Sequence, residues 1–416
     1  MTAYPIRPIG PDEFLPFCAT AQQAFNMADP PTEAVRQEQG TFEFDRSLAA
    51  FDGQQIVGTA CAYTFQMAVP GAVTGVAGVS FVAVLPTHRR RGILSSLMRR
   101  QLAELSEHGE PVAALFSSES GIYGRFGYGV AAENLAIRVL RGEGTLRPGA
   151  TAEAAGVRLR LAEPADQRAA LVKVYDMIQP SRPGMHGRDD RWWTAALDDP
   201  ASGRGGASPL RCLLAEDDAG PRGYALYATR QAPWEDRIAA GTVEIRELHA
   251  TDPAAAAALW GDLLTRDLTT EVRAWHRPVD EPLLELLADR RRARPQLSDG
   301  LWIRLVNVPA ALTRRRYACP VDIVLEVTDD LLPGNAGRWR LRAGGHADQA
   351  RPTCERTADE PALVLPVAAL GACYLGGSRA GALVRAGLAA ERQPGAAAAL
   401  SAAMMWDPAP WSPTIF

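Results

Sequence analysis

The segment T-H-R-R-R-G-I-L-S-S-L-M, Thr87 to Met98, gathers three guanidinium groups and a glycine where a strand-like pattern gives way to a helical one. The first turn of a helix leaves backbone N–H groups without intrahelical partners and carries the positive end of the helix dipole. Such a turn is a socket for anions. Arg89, Arg90 and Arg91 add charge able to hold a diphosphate through charge-assisted hydrogen bonds, and Gly92 lets the backbone come close to it. Three arginines before a helix can equally form a solvated basic turn with no ligand, so the chemistry depends on the elements around them.

Those elements are strand, helix, strand, helix. From Ser47 to Leu85 the sequence reads as strands: L-A-A-F, a turn at Asp52-Gly53, Q-I-V-G-T-A-C-A-Y-T-F-Q-M, a break at Pro70-Gly71, then V-S-F-V-A-V-L. From Gly92 to Glu107 the period changes, with Ile93, Leu94, Leu97, Met98, Leu102 and Leu105 at helical spacing and Gly109 closing the helix. A short strand, P-V-A-A-L-F, follows. Ser117, Ser118 and Glu119 then offer cap chemistry for a brief helix that must end at Gly127.

A second copy of this plan starts near Val157, with a helix over Pro164 to Met177 and a hairpin through Leu210 to Tyr227. In it V-E-I-R-E-L-H-A-T-D-P-A-A-A, Val243 to Ala256, aligns without a gap against V-S-F-V-A-V-L-P-T-H-R-R-R-G. Pro253 then stands opposite Arg89 and Ala256 opposite Gly92. The residues that handle phosphate are absent, so the second copy is expected to be structural. From Leu297 the character shifts to strands and an Ala-rich helical segment, Ser378 to Met405, with Arg290 to Pro295 as the expected linker. The final W-S-P-T-I-F is apolar and extended, which predicts docking rather than fraying.

At 416 residues and 47% apolar content the chain has room for two or three domains. The boundaries are expected at 1–150, 151–295 and 296–416. A net charge of −4 argues against nucleic acid as a partner. The six cysteines are scattered with no C-x-x-C pair and the six histidines show no ligand spacing, which predicts neither a disulfide framework nor a metal site. No run reaches the ~18 apolar residues of a membrane span, and the start lacks a signal-peptide layout. A soluble, cytoplasmic protein without a membrane partner is expected. The tryptophans Trp192, Trp193, Trp406 and Trp411 are expected to pack domains together rather than line a pocket.

Arg89-x-x-Gly92 matches the R/Q-x-x-G-x-G/A element of the GNAT acetyltransferases, departing at Leu94 where the element has Gly or Ala. Three longer stretches, S-F-V-A-V-L-P-T-H-R-R-R-G, S-E-S-G-I-Y-G-R-F-G-Y-G (Ser118 to Gly129) and D-G-L-W-I-R-L-V-N-V-P-A-A-L (Asp299 to Leu312), resemble the Eis family of bacterial acetyltransferases. The resemblance spans essentially the whole chain. It implies an α/β (α+β) fold of tandem GNAT domains, each a mixed central sheet flanked by helices, the second degenerate, with a C-terminal domain similar to sterol carrier protein. It also implies a homohexamer that moves acetyl from acetyl-CoA to primary amines of aminoglycoside, polyamine or lysine type. The alternative is a non-catalytic scaffold that binds acyl-CoA or lipid.

In a GNAT fold the strand holding Val82, Ala83 and Val84 splays from its neighbour, and its unpaired main-chain groups take the pantetheine arm. An ordinary, fully paired strand has the same sequence. The expected coenzyme contacts therefore run from Val82, Ala83 and Val84 through Arg89, Arg90, Arg91, Gly92, Ile93, Leu94 and Ser95 to Ser118 and Glu119. By matching motif, the resemblance makes Tyr123 the general acid, with Tyr128 its rival, and the terminal carboxylate of Phe416 the general base. Phe116 and Ile415 stand where some relatives carry a polar residue and an acid, which weakens the case for polycationic acceptors. Asp29, Glu33 and Glu38 could restore acidity, although a solvated helix face is the expected role.

Overall fold

The computed structural model describes residues 4–28, 32–234, 239–345 and 350–416. Its three sheets each follow from the alternation of apolar residues along the strands. In the first sheet, Gln55–Val69 sends Cys61, Tyr63 and Phe65 to one face and Ala60 and Ala62 to the other. Phe14 and Phe17 of the helix Phe14–Ala24 cover the former face. Met98, Leu102 and Leu105 of Ile93–Glu107 cover the latter.

The first sheet runs Ile6–Arg7, Ser47–Asp52, Gln55–Val69, Ala72–Val84, Val112–Phe116, Leu301–Leu305 and Gly129–Val130. The second runs Gln296–Asp299, Glu133–Leu140, Thr269–Pro278, Gly241–Ala250, Gly220–Arg230, Arg211–Asp217 and Arg158–Ala162. The chain therefore crosses between sheets twice, at residues 131–133 and again at Gly300. D-G-L-W-I-R-L, which reads as one strand, is split: its start pairs with Glu133–Leu140 and its end with Val112–Phe116. A Cβ at Gly300 would sit 2.8 Å from the Asn134 side-chain amide, so a larger residue at the crossing would have to displace that side chain. The exchange moves both expected boundaries, since residues 133–140 lie in the second sheet and residues 301–305 in the first. The arginine stretch is no loose linker. It forms the short helix Arg290–Ala293 with Ala293 buried and Arg292 and Arg294 paired to Glu143.

The third sheet orders Thr353–Arg356, Gly337–Ala343, Val321–Thr328, Leu363–Pro366 and Ala390–Glu391. The expected Ala-rich helix over 378–405 is two helices, Ala380–Arg385 and Ala396–Met404, because Gly387 at φ 74° ends one and Pro394-Gly395 starts the other. A further helix, Val367–Tyr374, lies directly on the first sheet. At Gly129 an added Cβ would meet the Ala368 carbonyl oxygen at 2.0 Å, and at Gly371 that of Ile303 at 2.4 Å. Backbone presses on backbone there, with no flexible side chain to yield. Gly129→Ala is expected to destabilise the protein by about 1–3 kcal/mol, read as a lower urea midpoint without a change in slope.

Candidate active site

Site geometry begins with a bulge in Ala72–Val84. Its register against Gln55–Val69 slips between Thr59↔Ala83 and Cys61↔Ser80, leaving Phe81 and Val82 opposite the single residue Ala60. Phe81 sits at φ 53°, a left-handed conformation that is costly for a bulky residue. The Thr59 hydroxyl donates to the Phe81 carbonyl at 2.6 Å, and the Phe81 ring packs on Phe17, which together hold the bulge. As a result, pairing with Val112–Phe116 is confined to Ala77↔Ala113 and Gly78↔Ala114. Beyond them the strands part, and the edge that includes Val82, Ala83 and Val84 faces a wedge.

Next to the wedge, Gly92 at φ 84° caps the helix Ile93–Glu107, whose first intrahelical bond runs from the Ser96 N–H to the Gly92 carbonyl. The N–H groups of Ile93, Leu94 and Ser95 have no acceptor among the described residues. The side chain of Ile93 is buried in the core, so this residue offers only its amide, and Leu94 packs half-buried against the apolar cluster around Met98. The three arginines divide. Arg89 donates to the Ala24 carbonyl at 2.9 Å and fastens the end of Phe14–Ala24, whereas Arg91 donates to the Tyr4 hydroxyl at 2.9 Å. Arg90, exposed and at φ 63°, has no partner among the described residues. Free amides, a free guanidinium and a strand edge on which the Val84 carbonyl accepts only a long bond from Arg89 Nε, 3.4 Å, fit a diphosphate with an amide-bearing arm. Ser117 Oγ, buried and without a partner among the described residues, adds a donor at the end of Val112–Phe116.

The wedge opens into a recess of about 650 Å³ whose walls include Val82, Ser118, Tyr123, Glu38, Trp192 and Phe416. Ser118 and Glu119 lie on the exposed turn after Val112–Phe116. Tyr123 opens the short helix Tyr123–Phe126 and is buried at 5% exposure, with its ring edge-on to Tyr128. Burial, with a smaller push from Glu119, raises its pKa to about 12. Tyr128 also has a buried hydroxyl, but it has no partner among the described residues and is not part of the recess wall. The tail docks as its composition predicts: Trp411 and Ser412 are buried, and the Phe416 ring lies 4.9 Å from Phe65 and 5.4 Å from Phe116. Trp192 packs on Tyr63 and Phe65 and also lines the recess, so packing and pocket roles coincide in it. Asp29 and the Glu33 side chain lie outside the described residues. Glu38 keeps the solvent exposure expected of it and also borders the recess, where the neighbouring protein pushes its pKa up.

Sequence reading missed how much the second copy contributes to this recess: Arg188, Arg246, Glu247 and His276 all line it. The E-L-H run, Glu247 to His249, was the available signal, since charge in a buried strand needs a partner. The second copy's own equivalent of the site is closed. Asp252, opposite His88, caps its helix by accepting from the Ala255 N–H at 3.0 Å, so the protein's own carboxylate occupies the anion socket. Arg277 donates to the carbonyl of Leu248, opposite Val84, at 2.8 Å and fills the corresponding gap between strands.

A bulged strand parting from its parallel neighbour beside an uncapped helix start defines an acetyltransferase of the GNAT class, and the two-copy plan extends it. Residues 5–131 and 184–305 each match an acetyltransferase (GNAT) domain and residues 308–413 match a sterol carrier protein domain. The chain is 43% identical over 396 residues to an N-acetyltransferase of Streptomyces coelicolor, covering 94% of each. It is 36% identical over 340 residues to the N-acetyltransferase Eis of Mycobacterium bovis, covering 80% of this chain and 79% of that one. The crystal structure of Eis1 from Mycobacterium abscessus superposes with a TM-score of 0.83 at 32% identity, covering 99% of this chain and 100% of that one. The chain belongs to the Eis family of N-acetyltransferases. GNAT acetyltransferases use acetyl-CoA. Among the described residues no helix is long and apolar enough to cross a membrane.

Proposed function

We propose that this enzyme transfers acetyl from acetyl-CoA directly to a primary amine, with Tyr123 as general acid and the Phe416 carboxylate as general base. One observation carries the reading: the bulged strand, Tyr123 and the chain terminus are walls of the same recess. Acetyl-CoA, when bound, supplies an activated thioester. Arg90, Arg91 and the amides of Ile93, Leu94 and Ser95 would hold its diphosphate, with Arg89 and Gly92 shaping the turn. The edge of Val82, Ala83 and Val84 would pair with its arm, and Ser118 and Glu119 would border its reactive end. Tyr123 Oη holds a proton at neutral pH and can release it to the departing sulfur. The terminal carboxylate, with a reference pKa of ~3.5, is ionised and can accept the amine's proton.

Acceptors of aminoglycoside, polyamine or lysine type all present the required amine. Glu38 and the terminus are the anionic groups that draw such a cation into the recess. On the same reading the enzyme works in the cytoplasm as a homohexamer, which light scattering on the purified chain tests. A panel of these amines with acetyl-CoA, followed as free thiol release, tests the activity. Tight coenzyme binding with no turnover on any amine would leave only a scaffold. Arg90→Ala removes one charge-assisted contact without touching the fold, so the Kd for acetyl-CoA should rise about tenfold or more. Calorimetry reads that change, and the melting temperature should stay where it was.

A further inference from the structure

The last eight residues are hydrogen-bonded to the second GNAT domain and its lead-in. Arg182 donates to the Ala409 carbonyl at 2.8 Å, and the Trp411 N–H donates to the Pro183 carbonyl at 2.8 Å. His276 Nε2 bonds the Ser412 carbonyl at 2.6 Å. Gly184, at φ 95°, lets the Trp411 backbone lie against it, where a Cβ would sit 2.9 Å from the Trp411 carbonyl oxygen. The hydrogen bond from that domain nearest the terminus is made by a side chain: Arg188 donates to Thr414 Oγ1 at 2.7 Å.

Arg188 is itself immobilised. Its side chain is 1% exposed, grips Glu247 through bonds of 2.6 and 3.1 Å, and lies over the rings of Tyr175 and Trp193. Tyr224 donates to the same carboxylate at 3.0 Å. This arrangement does two things. It fixes Thr414, from which two residues can carry the terminus no further than ~7 Å. It also spends the Arg188 charge on Glu247, so the guanidinium orients the tail without capturing the terminal carboxylate. Among the described residues that carboxylate has no ion-pair partner. At its far end the Phe416 ring is seated on Phe65, Phe116 and His186.

We infer that the second GNAT domain, whose own wedge and anion socket are closed, is the positioning frame for the catalytic terminus, with Arg188, Glu247 and Thr414 as positioning residues. The inference rests on the assignment of the Phe416 carboxylate as base. Substitution of Arg188 or Glu247 strands a buried charge and endangers the fold, so the test is made at half-buried Thr414. Thr414→Val keeps the shape and removes the hydroxyl. It is expected to lower kcat by ~10–100-fold, the scale of a misplaced catalytic group, with the KM for acetyl-CoA unchanged. Thr414→Ser, which restores the hydroxyl, should recover most of the rate. In a chain lacking Phe416 the same Thr414→Val change should cost less than ~2-fold, because a residue that acts through the terminus has nothing left to position. Full activity in Thr414→Val, or an undiminished effect in the shortened chain, overturns the frame. If removal of Phe416 alone leaves kcat intact, the base assignment falls and takes the frame with it. If that removal is costly and Thr414→Val is silent, the frame alone falls.

Discussion

Tyr123→Phe is expected to lower kcat by ~10²–10⁴ while leaving the KM for acetyl-CoA within about twofold, the pattern of a lost proton donor. Only the hydroxyl goes. The ring keeps its edge-on contact with Tyr128 and its place in the cluster with Phe126 and Trp302, so the melting temperature should not fall. The sign of the pH dependence follows from burial, which disfavours the phenolate and moves the pKa up to about 12. A raised pKa keeps the acid form populated throughout the neutral and mildly alkaline range, so this group should impose no alkaline fall in kcat below about pH 10. A fall centred near pH 8 in the wild type that vanishes in Tyr123→Phe would show a different ionisation from the one the burial implies. Tyr128→Phe is the internal control: its hydroxyl is buried outside the recess, and its loss should leave kcat within ~3-fold. Equal losses at the two positions would mean that the aromatic pair, and not the Tyr123 proton, is what the reaction needs.

Local features of the site were legible from the residues. An uncapped helix start is written in a handful of adjacent positions, and R-R-R-G followed by helical spacing declares it. The docking of W-S-P-T-I-F was legible for the same reason, since an apolar tail has to bury itself somewhere. What could not be read were the consequences of contacts distant in sequence. Phe81 looks like any strand residue, and its left-handed backbone depends on a hydroxyl at Thr59 across the sheet. Ile93 falls on the core side of its helix, which the periodicity already told, so as an expected coenzyme contact it has only its amide to offer. Glu38 reads as a solvated charge and is exposed, but only the placing of the facing domain shows that it also borders the recess. The exchange of strands at Gly300 is invisible because both halves of D-G-L-W-I-R-L carry strand-forming residues, and only the clash that a side chain would make with Asn134 marks the crossing.

The two GNAT copies show how one frame takes two roles. In the first, a helix start with no carboxylate cap leaves the amides of Ile93, Leu94 and Ser95 without acceptors among the described residues, and the Val84 carbonyl accepts only a long 3.4 Å bond from Arg89; weakly satisfied groups are what a polar ligand binds. In the second, Asp252 and Arg277 supply those partners from within, and the domain loses the site. Lining the recess and bonding the tail, this domain is placed to hold a chain end, which is otherwise among the freest parts of a molecule.

Deletion of Phe416 should therefore cost at least ~10² in kcat, the contribution of a positioned base. Taken alone, the deletion confounds two losses, because the ring packed on Phe65 and Phe116 leaves together with the carboxylate. A single glycine appended after Phe416 separates them. It keeps the ring in its seat and moves the charge on by about 3.5 Å, one residue of extended chain. A base displaced by more than the length of a hydrogen bond no longer reaches the amine's proton, so the extended chain should lose nearly as much kcat as the deleted one, with acetyl-CoA affinity by calorimetry unchanged in both. Full activity in the extended chain would assign the effect of the deletion to aromatic packing and remove the terminal carboxylate from the reaction.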